Sequence, residues 1–126
     1  MDPIKIDIYV EWSKFYSLNE GEIKKIVPTE PGIYVLWVKL VSNKWKIFYG
    51  ASAENLQQQI LSHLLSGETN DCIKKKVQNS ICAFHFASVP KKVEREGINK
   101  YFFSVLPTEC KQADPGKKPM SVNLPG

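Results

Sequence analysis

Arginine is almost missing from this chain: 17 of its 126 residues are lysine or arginine, and Arg95 alone is arginine. Phosphate recognition through the bidentate guanidinium fork is therefore available at one position only. No apolar run approaches the ~18 residues of a membrane span. Cysteine is scarce as well, with Cys72, Cys82 and Cys110 making an odd count that favours free thiols in a reducing cytoplasm. Cys82-Ala83-Phe84-His85 lacks the second Cys/His pair that would complete a zinc site, and Cys82 reads as a buried strand cysteine. The start, Met1-Asp2-Pro3, is acidic and runs into alternation, unlike a secretory signal. There is no internal repeat and no low-complexity tract.

What is present is ordinary for a globular domain: 43% apolar and 24% charged residues, enough chain for one core. A net charge of +4 and a pI near 8.9 permit a nucleic-acid partner without requiring one.

Ile4, Ile6, Ile8 and Val10 alternate as a short strand would, ahead of the aromatic residues Trp12, Phe15 and Tyr16. Helical spacing from Leu18 to Ile26 stops before Pro28, and Pro28 to Gly32 is rich in breakers. The β-branched and aromatic run Ile33–Leu40 predicts a buried strand, Ser42-Asn43-Lys44 a turn, and Trp45–Tyr49 the returning strand. From about Glu54 to Ser66 the period becomes helical, with Leu56, Ile60, Leu61, Leu64 and Leu65 on one face and Gly67 as the stop. Asn70-Asp71 should cap a second helix that turns Ile73 and Val77 inward and Lys74, Lys75 and Lys76 mostly outward. Ser80–Val89 alternates as a third strand. Pro90 starts a helix running to about Leu106, with Val93, Tyr101, Phe102 and Val105 as expected core contacts. The Pro-, Gly- and Lys-rich remainder reads as a tail over the surface.

Gly32-Ile33-Tyr34 heading one strand, with Tyr49 near the end of the next and a helix following, resembles the GIY-YIG endonuclease family. Trp12, Val27-Pro28, Asn55-Leu56, Ile60 to Leu64, Glu94-Arg95, Cys110 and Val122-Asn123-Leu124-Pro125 fit a bacterial branch of that family in order and spacing. The resemblance implies a small α/β domain: a three-stranded antiparallel sheet flanked by helices, spanning residues 28–110, with an N-terminal extension 1–27 and a tail 111–126. It also implies an active site in which Tyr34 and Tyr49 hold the tyrosine positions and His63 follows the arginine position by one helical turn. Metal-assisted phosphodiester cleavage needs a cation for the charge developing on phosphate and a base for the water.

Three further positions of that site are substituted. Gln59 stands where the resemblance places the phosphate-binding arginine, Asn99 where it places the metal-binding glutamate, and Lys111 where it places a supporting asparagine. Glutamine has no permanent charge, and magnesium wants at least one carboxylate. Glu96, three residues before Asn99, is the nearest replacement ligand.

The resulting expectation is a nuclease-fold protein with lost or weakened cleavage, acting as a nucleic-acid- or partner-binding module. No cofactor is expected, and Mg2+ or Mn2+ only if an active site is rebuilt around Tyr34, Tyr49, His63 and Glu96. Lys74, Lys75, Lys76, Lys91 and Lys92 are the candidate nucleic-acid contacts, the alternative being a solvated helix face. A third possibility is a protein-interaction or homodimer module without nucleic acid. Beside these, Tyr34 and Tyr49 can be amphipathic core residues at a sheet edge, and His63 a hydrogen-bonded structural histidine.

Overall fold

The computed structural model describes residues 6–65, 68, 70–106, 110, 116 and 118–125. Among these the chain forms β1 (Tyr16–Ser17), α1 (Glu20–Ile26), β2 (Gly32–Lys39), β3 (Trp45–Ala53), α2 (Leu56–Ser62), α3 (Asp71–Asn79), β4 (Cys82–Ser88) and α4 (Lys92–Val105). The protein is an α/β domain with an antiparallel sheet in the order β1-β4-β2-β3. The sheet has four strands where the sequence suggests three. β1 is only two residues long, too short for a periodic signal, and exists because Tyr16 and Ser17 pair with Phe84 and Ala83.

Alternation along β2 divides the core. Tyr34, Leu36 and Val38 face α1, α2 and α3 together with Phe48, Phe84 and Ile60. Ile33 and Val35 face α4, meeting Ile98, Phe102 and Leu106. Gly32 opens β2 because a Cβ there would land on the Ala87 carbonyl oxygen of β4. The β2–β3 hairpin turns through Asn43, which sits at φ 64°, a conformation that asparagine tolerates better than most residues.

Several expectations are corrected. Cys72 and Cys110 form a disulfide and only Cys82 is a free thiol among the described residues; the argument from thiols to a reducing compartment falls with it. Cys82 itself is buried on β4, as its strand position suggested. Among the described residues of the alternating N-terminal segment, 6–10, none belongs to a strand and Ile8 alone forms a bridge, to Val122; Ile4 lies outside the described residues. β3 continues to Ala53, past the expected end at Tyr49, because its partner β2 reaches back to Gly32.

α2 closes at Ser62 with a cap at His63, well short of residue 66, and Leu65 is exposed. Residue 66 and Gly67 lie outside the described residues. On α4, Phe102 is buried and Tyr101 half-buried, but Val93 and Val105 are exposed, since both fall on the side turned from the sheet. The end of the tail is no surface strap. Val122 is core, and Asn123 clamps Val10 by accepting from its N–H (2.7 Å) and donating to its carbonyl (2.9 Å). No described helix is long and apolar enough to cross a membrane.

Candidate functional site

The site begins with a β-bulge. Tyr34 pairs with Ala51 and Leu36 with Tyr49, but Trp37 pairs with Ile47, so Phe48 is an extra residue on β3. Phe48 and Tyr49 consequently both join the core face that Tyr34 occupies. The two tyrosine rings lie on one face with centroids 6.3 Å apart, as diagonal cross-strand neighbours do.

α2 lies against this face. Asn55 caps it by accepting from the Gln58 N–H, Leu56 and Ile60 are buried beneath it, and residues four apart share a side. That geometry aims Gln59 and His63 at the same tyrosine. The Tyr34 hydroxyl lies 2.7 Å from His63 Nε2, and His63 Nδ1 lies 2.6 Å from Glu68 Oε2. Glu68 Oε1 accepts from the Asn70 N–H at 2.9 Å, while the Asn70 side chain caps α3. Gln59 and Tyr49 both lie near enough to Tyr34 to act on its hydroxyl proton.

Burial decides the protonation. It pushes the His63 pKa below its ordinary value against the opposing pull of Glu68, so the ring is neutral at pH 7. The contact with Glu68 is therefore a hydrogen bond rather than an ion pair. An ionised carboxylate only accepts, so Nδ1 carries the proton, Nε2 accepts, and Tyr34 must donate. Burial, reinforced by Tyr49 and Glu68, raises the Tyr34 pKa well above the ordinary phenol value. Tyr49 is raised too, again mainly by burial and then by Glu68. Tyr34 is wholly buried, His63 is 4% exposed and the Glu68 side chain 8%, so the chain Tyr34–His63–Glu68 is largely withdrawn from solvent.

Beside it, a groove of about 510 Å³ runs between α2 and α4. Gln59 and Glu96 line it together, along with Glu54, Lys92 and Arg95, so its charges of opposite sign are balanced. Glu96 Oε1 lies 3.9 Å from Lys92 Nζ. Arg95, the one arginine, is buried and donates from Nη1 to the Val89 and Pro90 carbonyls at 3.0 and 2.8 Å, which fixes the β4–α4 connection. It is structural at that atom, not a free phosphate clamp. Asn99 is half-buried on α4; Lys111 lies outside the described residues.

No group of three His, Cys, Asp or Glu side chains converges among the described residues, and Glu68 is committed to His63 and Asn70. The lysine candidates do not converge either. Lys76 on α3 adjoins the start of β4 through its carbonyl contact with Cys82, whereas Lys91 and Lys92 follow the end of β4. Seven strand residues separate the two groups by roughly 20 Å. Lys75 is exposed and Lys74 and Lys76 half-buried.

Glu68 is the site residue that sequence reasoning missed. It lies between α2 and α3, five residues after His63, where no periodicity in the sequence marks it. Comparison of the chain with protein-family models, with curated proteins and with solved structures finds no match.

Proposed function

We propose that this protein is a nucleic-acid-binding module on a GIY-YIG-like scaffold whose cleavage centre has closed into a structural polar core. The observation that carries this reading is the buried chain Tyr34–His63–Glu68. A general base works best with a pKa near the operating pH. Here both phenols are pushed upward, and the histidine nitrogen that accepts a proton is already occupied by Tyr34. Gln59 and Asn99 in place of a charged fork and a carboxylate ligand support the same conclusion.

The test pairs two assays. Plasmid nicking in Mg2+ or Mn2+ is expected to stay at background; cleavage that disappears with Tyr49→Phe or Glu96→Gln refutes the closed-centre reading. Mobility shifts with DNA should show binding that weakens steeply with salt, because phosphate contacts release counterions. Binding absent at low salt refutes the nucleic-acid reading.

A further inference from the structure

The carboxylates of this chain are partitioned. Residues 12–19, 31–53 and 72–93 contain nine lysines and no aspartate or glutamate, leaving eight basic residues and all 13 acids to the remainder. All four strands lie within those acid-free stretches. At the hairpin end of the sheet, on the face that α4 covers further along, four rings gather. Phe15 packs edge-on against Trp45 at 4.8 Å and Trp37 at 6.0 Å, and tilts on His85 at 5.3 Å. Trp37 Nε1 donates to His85 Nδ1 at 2.9 Å, which holds the floor of the cluster in place.

The cluster is not sealed: Phe15 is 42% exposed and Trp45 partly so. The strand register places Lys39 directly opposite Trp45 on the same face, and Lys14 and Lys44 are exposed immediately before Phe15 and Trp45. Leu40 and Val41, in the adjoining turn, are exposed as well.

We propose that this hairpin end is a binding platform for single-stranded nucleic acid, with bases stacking on Phe15 and Trp45 and phosphates meeting Lys14, Lys39 and Lys44. The inference rests on the nucleic-acid reading above and moves the contact surface away from the charge-balanced groove. A partner must match both features. Positive charge drawn from stretches of sequence without carboxylates favours a polyanion, and partly exposed rings favour one that can stack. Duplex bases are already stacked on one another, so the strand that gains from the rings is single.

Anisotropy titration of the full chain with a labelled 20-nucleotide oligo(dT), and with a duplex of equal length, tests this. The single strand is expected to bind about 10-fold more tightly and to quench tryptophan fluorescence. Phe15→Ala should weaken it by roughly 10-fold, the cost of one lost stacking partner. The double variant Lys39→Glu/Lys44→Glu should weaken it and flatten the dependence of log Kd on log salt by about 1.4. Lys24→Glu, on α1, should change nothing; circular dichroism and thermal melting verify that each variant is folded. Duplex binding as tight as or tighter than the single strand overturns the platform and leaves the nucleic-acid reading intact. Polyglutamate binding as tightly as oligo(dT), or affinity unchanged in Phe15→Ala, also overturns the platform. Failure of both nucleic acids to bind overturns the function reading as well.

Discussion

Replacing Tyr34 by phenylalanine isolates the energetic weight of the buried polar chain. The ring stays packed in a fully buried position, so the change opens no cavity and alters little apolar burial. What disappears is the 2.7 Å hydrogen bond to His63 Nε2, leaving that nitrogen unsatisfied on a residue only 4% exposed. Such an orphaned buried acceptor costs about 1–3 kcal/mol. A loss of about 2 kcal/mol is expected, which corresponds to a fall in Tm of roughly 8 °C for a domain of this size. Urea unfolding at pH 7 measures it. A double-mutant cycle with His63→Leu removes both partners and should show a coupling of about 1 kcal/mol or more. A single-variant loss below ~0.5 kcal/mol, with additive behaviour in the cycle, would refute the claim that this chain is a satisfied, stabilising network.

Three other outcomes follow from the same geometry. Replacing both Cys72 and Cys110 by alanine should cost roughly 4 kcal/mol by the loop-entropy relation for a 38-residue separation, read as a drop in urea midpoint; wild-type stability insensitive to dithiothreitol contradicts it. Gly32→Ala should cost more than ~2 kcal/mol because the added carbon meets the Ala87 backbone carbonyl rather than a side chain that can swing away. Acid should destabilise the fold. His63 and His85 both have pKa values lowered from 6.5 by burial, so the unfolded chain binds more protons as pH falls. Their contribution is complete above ~6.5 and declines as pH drops from there toward the lowered values. His63→Gln should shrink that slope between pH 7 and 5, measured by thermal melting, and an unchanged slope removes His63 from the account.

How far the structure was legible varies with how local the cause is. The hairpin, α3 and α4 announce themselves through period, capping residues and breakers, all of which act within a few residues. Asn70 was recognisable as a cap because capping is a contact with backbone two and three residues on. β1 was not, because Tyr16 and Ser17 form a strand only through partners 66 or more residues away. Val93 and Val105 look like core by composition but fall on the outer face of a helix whose orientation is set by the sheet beneath it. The disulfide was likewise invisible: an odd number of cysteines gives no pairing, and Cys72 meets Cys110 only after α3 and the segment past α4 have packed.

For the candidate site, the sequence determined the ingredients: two tyrosines on adjacent strands, a histidine at the end of the next helix, and the neutral amides Gln59 and Asn99 on α2 and α4. Tertiary structure alone decided what those ingredients do. The bulge at Phe48 puts Tyr49 on the face of Tyr34, and the loop after α2 brings Glu68 beneath His63. Burial then holds the imidazole neutral and the phenols protonated. Residue identity sets which protons exist, but the dielectric around them and the direction of their hydrogen bonds come from long-range packing. That is why a pattern resembling a reactive centre becomes, in this fold, a closed polar core.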